Sequence, residues 1–180
     1  LESLTDSINR IAYRSKNLLG FVQSYRQVSQ LPQPNTSPIS IRSLFENAFA
    51  LLVSQCNEKG ISLRYTCTPD NLTIELDKQL VEQALINLVL NAMDALTQSE
   101  SPHIEVLGFV HESGRGAISV SDNGSGIPEN LRKKIFLPFY TTKKQGSGVG
   151  LALAQQIMLA HGGAIKLITS DNATKFILIF

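Results

Sequence analysis

No stretch of this chain approaches the roughly 18 consecutive apolar residues that a membrane-spanning helix needs, and no signal-peptide pattern opens it. Neither a helical membrane span nor a secretory leader is therefore expected within these residues. A charge bias is missing too. Sixteen Lys and Arg against 15 Asp and Glu leave a net charge of +1, which gives no general reason to meet nucleic acid or an anionic membrane. Cysteine is scarce, and Cys56 and Cys67 fit no metal or redox spacing, so reduced thiols in a cytoplasmic setting are expected. An initiating Met is also missing: the chain starts on Leu1, inside a helical pattern, and is expected to be a piece of something longer. What remains is ordinary. With 43% hydrophobic and 17% charged residues over 180 positions, one domain with a proper core plus an appendage is expected.

Residues 1–31 read as one helix. Leu1, Leu4, Ile8, Ile11, Ser15, Leu18, Val22, Tyr25 and Ser29 recur by threes and fours, the seam of a coiled coil or bundle. Such a helix cannot bury its stripe alone, so it calls for partner helices. Pro32, Pro34, Asn35 and Pro38 mark a stiff linker over 32–39, and a second domain spans 40–180. Within that domain Ser40 is placed to cap a helix over 41–57. Strict alternation predicts strands over 61–68 and 72–76. A long helix follows over 77–97, then strands over 103–110 and 116–121. Glycine-rich sequence leads into a helix from Leu151 to His161, closed by Gly162 and Gly163. A final hairpin, 164–169 and 174–180, turns at Asp171 and Asn172. The pattern is that of an α/β domain with many antiparallel strand pairs.

The helix over 77–97 carries an unusual stripe. From Gln83 to Leu96 ten of fourteen residues are apolar, and Gln83, Asn87, Asn91 and Asp94 fall on one face. A solvent face is the plain explanation, but solvent faces favour Lys, Glu and Arg over asparagine. A wall facing a polar cavity fits better, with amide and carboxylate oxygens suited to a hard cation such as Mg²⁺. Next, Asp122-Asn-Gly124-Ser-Gly126-Ile127 follows a strand directly. A simple turn accounts for its glycines; the alternative is a carboxylate that accepts from an adenine amino group, with backbone passing close to the base. Arg132, Lys133, Lys134, Lys143 and Lys144 then form a local basic field around the apolar Ile135–Tyr140 segment, which should fold back onto the domain and position Thr141, Thr142 and Lys143. Last, Gly146-Ser147-Gly148-Val149-Gly150 opens a helix at Leu151, an anion site made of backbone amides. It is neither a Walker A loop nor a dinucleotide fingerprint.

These four segments, in this order, resemble the N, G1, F and G2 boxes of sensor histidine kinase ATP-binding domains, within the GHKL superfamily that also holds gyrase, Hsp90 and MutL. The likeness spans about residues 40–180, and the wording Phe139-Tyr140-Thr141-Thr142-Lys143 is closest to nitrogen-regulation-type sensor kinases. The resemblance implies a two-layer α/β (α+β) sandwich with a mixed, mostly antiparallel sheet on helices, a lid over about 128–147, and ATP with Mg²⁺ as cofactors. It implies that Asn91 ligates the metal while Asn87 supports metal or phosphates and acts in catalysis with Lys143, which reaches a terminal phosphate. Asp94 joins the same wall. Asp122 would bind the adenine amino group, Gly124, Gly126 and Ile127 would shape the base pocket, and Thr174 would lie near the adenine. Thr142, Gly146, Ser147, Gly148, Val149, Gly150 and Leu151 would hold the phosphate chain.

Residues 1–30 resemble the second helix of a dimerisation and histidine-phosphotransfer bundle. The implied partners are the acceptor histidine of that bundle, a second copy of the kinase, and a response regulator. The implied location is the cytoplasm, whether or not the parent protein is anchored to the inner membrane. The sequence departs from the full pattern in one respect. The helix bearing the phospho-acceptor histidine is absent, and His103, His111 and His161 read as surface or capping residues. Two other readings stay open: an ATPase of the gyrase or MutL type, and a nucleotide-sensing module without turnover. The first would carry a glutamate base where this chain has Asn87, one turn before Asn91. Given labelled ATP alone, the 180-residue chain should not label itself; an acid-labile phosphohistidine on it would contradict this.

Overall fold

The computed structural model describes Ile8, Val22, Arg26 and residues 30–97, 99–143 and 146–180. The seam read over 1–30 therefore lies outside the described residues, except that those three are helical; Lys144 lies outside them too. The elements are β1 (Ser37–Ser40), α1 (Ile41–Glu58), β2 (Ser62–Thr68), β3 (Thr73–Leu76), α2 (Lys78–Ala95), β4 (His103–Val110), β5 (Gly116–Asp122), a single turn α3 (Glu129–Arg132), α4 (Gly150–Ala160), β6 (Ala164–Ser170) and β7 (Ala173–Ile179). Five strands form one sheet in the order β2-β4-β5-β7-β6. Only the β2/β4 pair is parallel. Helices α1, α2 and α4 cover one face, giving the two-layer α/β arrangement expected.

Alternation explains the layers. In β4, Ile104 and Val106 are buried while His103 and Glu105 are exposed, because successive side chains point to opposite faces. Pairing across the sheet aligns such residues into inward rows. One row runs Tyr65, Val106, Val120, Phe176, Leu167; the next runs Cys67, Gly108, Ile118, Leu178, Ile165. These rows meet Leu44, Phe45 and Phe49 of α1, Leu85, Leu88 and Val89 of α2, and Ile157 and Met158 of α4 in one core. Cys56 and Cys67 are free and buried there, and burial pushes both thiols up. Among the described residues no helix is long and apolar enough to cross a membrane.

Two local features differ from the sequence reading. The proline-rich segment is not linker throughout: Ser37–Ser40 forms β1, antiparallel to β3. Pro38 is tolerated because this strand is one of a two-stranded ribbon, where a missing N–H can face outward. Ser40 occupies the cap position of α1 but makes no side-chain cap bond. The Ile41 N–H donates instead to the Leu72 carbonyl at 3.0 Å. The working cap belongs to α2, where Asp77 Oδ1 accepts from the Leu80 N–H at 3.1 Å and Asp77 Oδ2 accepts from the Asn35 N–H at 2.9 Å. At the end of α4 the two glycines close the helix as expected. Gly162, at φ 66°, donates to Leu159 and Gly163 donates to Met158, the two bonds of a Schellman motif.

Leu85 is fully buried between the sheet and the other helices. Leu85→Ala should lower stability by about 2–5 kcal/mol in chemical denaturation, through lost burial and the cavity left behind.

Candidate functional site

The inward face of the sheet turns polar at one end. The row beyond Tyr65–Leu167 reads Leu63, Ile104, Asp122, Thr174, Thr169. Asp122 is 7% exposed and Thr174 4%, so a carboxylate and a hydroxyl stand side by side where the pattern elsewhere places Val, Ile and Leu. Asp122 Oδ1 accepts from the Gly124 N–H at 2.9 Å. Burial pushes the Asp122 carboxyl above its ordinary range; the Gly124 N–H and, more weakly, the His103 charge oppose this.

A cavity of about 630 Å³ opens at this polar end, within the range of small-molecule sites. It gathers nearly all the residues singled out from sequence. Asn87, Asn91 and Asp94 line it from α2, and Asp122, Gly126 and Ile127 from the loop after β5. Thr142 and Lys143 come from the lid, Gly146, Ser147, Gly148, Val149, Gly150 and Leu151 from the glycine loop, and Thr174 from β7. Gly124 is the exception and does not line it. A Cβ there would fall 2.7 Å from the Ala95 carbonyl oxygen at the end of α2. The residue is glycine so that the loop can lie against a helix end.

Gly126 is held by a different neighbour. It adopts φ 68°, and a Cβ there would collide with the Ser170 carbonyl oxygen in the β6–β7 turn. Thr169 completes that contact, its Oγ1 accepting from the Ile127 N–H at 3.0 Å and donating to the Ala173 carbonyl. Thr169 was not picked out from sequence. Its signal is its register opposite Thr174, which becomes visible only once strands are paired. Tyr140 and Phe176 also line the cavity unforeseen. Sequence marks both only as apolar.

The lid folds back as its apolar content demands. Ile135, Phe136 and Phe139 pack on the core, and the Phe136 ring meets Phe176 edge-on at 6.2 Å. Leu137 does not join them and is exposed. The Phe139 N–H donates to the Gly148 carbonyl at 2.9 Å, joining lid to glycine loop. Phe139 itself is left-handed, at φ 65°, a conformation that costs a bulky residue on the order of 1–3 kcal/mol. The glycine loop then delivers α4 with Val149 at its cap position, a residue with no side-chain oxygen, and no side-chain cap bond forms there. Its first-turn amides and positive dipole end thus face the cavity.

Across the cavity, Lys143 Nζ donates to Asn91 Oδ1 at 2.9 Å and to Asp94 Oδ2 at 2.6 Å. Sequence had directed this lysine toward a phosphate; here it rests on the polar stripe of α2, whose Asp94 is the anionic group in reach. The pair is exposed, at 41% and 52%, so its contribution to stability is about 0–1 kcal/mol. Its chemical meaning is larger: two side-chain oxygens of α2 converge on a single positive charge. Among the described residues no cluster of three or more His, Cys, Asp and Glu gathers as a metal site. An oxygen pair of this kind instead suits a cation that keeps most of its shell in water and phosphate.

Comparisons with known proteins place the chain in a family and match its fold. Residues 76–180 match the family described as histidine kinase-, DNA gyrase B-, and HSP90-like ATPase. The C4-dicarboxylate transport sensor protein DctB of Rhizobium meliloti is 30% identical over 171 residues, 95% of this chain and 27% of that protein. This chain therefore spans about a quarter of the length of such curated relatives. The catalytic domain of histidine kinase ThkA superposes with a TM-score of 0.73 at 31% identity, covering 81% of this chain and 95% of that one. ThkA in complex with the response regulator protein TrrA gives a TM-score of 0.76 at 27% identity, covering 98% of this chain and 51% of the other.

The raised Asp122 carboxyl has a stability signature. Where a folded-state pKa lies above the unfolded one, the folded protein binds the extra proton, so stability falls as pH rises through that window. Above it the ionised, buried carboxylate is a standing cost. Asp122→Asn should therefore melt at a higher temperature than the wild type at neutral pH, with the gap closing at low pH. A lower melting temperature at neutral pH would contradict the desolvation argument.

Proposed function

Because this chain belongs to the histidine kinase-, DNA gyrase B-, and HSP90-like ATPase family, we propose that it is the ATP-binding catalytic part of a two-component sensor histidine kinase. One observation carries the proposal. The buried Asp122–Thr174 pair, the amide stripe of α2 and the uncapped start of α4 all open into one cavity. In this reading Asp122 accepts from the adenine amino group, its carboxylate held in place by the Gly124 N–H. Thr174 stands beside it, and Gly126 and Ile127 border the base. Asn91, with Asn87 and Asp94 on the same face, takes Mg²⁺, consistent with the oxygens that now share the Lys143 ammonium. Bound Mg²⁺ neutralises and orients the phosphate chain. The first-turn amides of α4 take phosphate oxygens. Lys143, released from Asp94, turns to the terminal phosphate together with Thr142 and the Gly146–Gly150 loop.

Phosphoryl transfer asks the protein mainly for positioning and charge neutralisation, and this chain supplies both. It supplies no carboxylate base at Asn87, which favours transfer to a histidine over activation of water. We assign the acceptor histidine, the second protomer and a response regulator to the parent protein's assembly. The TrrA complex of ThkA supports the last of these.

Calorimetry with Mg-ATP should show one site, lost in Asp122→Asn. Asn91→Ala should remove the Mg²⁺ dependence of ATP binding while sparing adenosine. Equal losses of both would sink the metal assignment.

A further inference from the structure

Helices α2 and α4 run antiparallel and touch through polar groups at both ends of α4. At one end the Asp77 N–H donates to His161 Nε2 at 3.0 Å, and His161 Nδ1 lies 2.7 Å from the Ile157 carbonyl oxygen. These partners fix the tautomer: Nε2 accepts, so Nδ1 carries the proton and donates. The Phe180 ring stands edge-on to the imidazole at 6.0 Å, which limits its rotation. At the other end Asn87 Nδ2 reaches the Gly150 carbonyl at 3.5 Å, and a Cβ on Gly150 would lie 3.4 Å from Asn87 Cγ. The two ties bracket nearly equal helix lengths, about 15 Å from Asp77 to Asn87 and about 16 Å from Gly150 to His161 at roughly 1.5 Å per residue. Between them the contact surfaces are apolar, with Val81, Leu85, Leu153 and Ile157 all buried. Apolar burial is non-directional, whereas hydrogen bonds are directional and fix a particular approach of one helix to the other.

We propose that His161 is a positioning residue for the phosphate chain, rather than the plain helix-end histidine its sequence suggests. By tying the end of α4 to the start of α2, it sets how far the α4 amides stand from Asn87 and Asn91 at the opposite end. The inference rests on the reading that this cavity takes ATP. It adds that the metal-side helix and the phosphate-side helix are held in register from outside the cavity. Adenosine, which is met by β5 and β7, is indifferent to that register; the triphosphate is not.

The test is calorimetry of the 180-residue chain with Mg-ATP and, separately, with adenosine, alongside thermal melts. His161→Ala should weaken ATP about tenfold and adenosine less than about twofold, since sub-ångström misplacement acts on the groups that need alignment. His161→Asn keeps a donor for Ile157 but loses the acceptor for Asp77, and should show the same selective loss. His161→Gln, whose amide oxygen can accept from the Asp77 N–H, should recover most of the ATP affinity. A purely structural role would lower the melting temperature and leave the ATP-to-adenosine ratio unchanged in all three variants, which would overturn the inference. A wild-type chain that bound no ATP would overturn the nucleotide reading and this inference with it. Normal wild-type binding with an unchanged ratio would overturn this inference alone.

Discussion

A carboxylate almost out of water at the end of β5 sets the terms for everything around it. Burying an ionised group is costly unless hydrogen bonds compensate, and the bond available at Asp122 comes from its own loop, through Gly124. That loop must therefore turn back tightly. It does so against the end of α2, where the Ala95 carbonyl leaves no space for a Cβ on Gly124, and against the β6–β7 turn, where Ser170 leaves none on Gly126. The sheet register brings Thr174 alongside. The arrangement is not one that maximises stability. It holds a polar pair where the inward rows would otherwise continue in Val and Leu, as sites under functional demand commonly do.

The part of the cavity between α2 and α4 is built on the opposite principle. There the protein presents fixed dipoles and short amides in place of a buried charge. Asn87, Asn91 and Asp94 share a face of α2 whose other faces are packed, and the start of α4 supplies backbone donors. Lys143 joins the segment before the glycine loop to α2 by resting on Asn91 and Asp94. The lid's apolar residues anchor to Phe176 and the core, so its charged end is presented from a packed base. Position 87 puts an amide, and no carboxylate, on this face.

Much of this was legible in the residues, for identifiable reasons. Alternation in β4 and β5, the stripe on α2 and the Gly162-Gly163 stop are local signals, and local signals survive folding. Asn87, Asn91, Asp94 and Asp122 line one cavity because each sits on such an element. What escaped was set by partners distant in sequence. Ser37–Ser40 is a strand because β3 is there to pair with it, and its Pro38 argued for the opposite. Thr169 matters through its register with Thr174. The constraint on a Gly124 side chain comes from Ala95, two strands earlier in the chain. His161 looked like a helix-end histidine until its ring was seen to accept from Asp77.

Asp77 has two carboxylate oxygens, and both are engaged. One closes the first turn of α2 through Leu80; the other receives the Asn35 N–H of the segment leading into the domain. Two binding events that share one group are thermodynamically linked, and linkage is reciprocal. Whatever free energy the docked segment lends to the first turn of α2, a tightened first turn returns to the segment. Both bonds hold one side chain in one orientation, so a change at Asn35 is felt at the first turn of α2, and a change there is felt at Asn35.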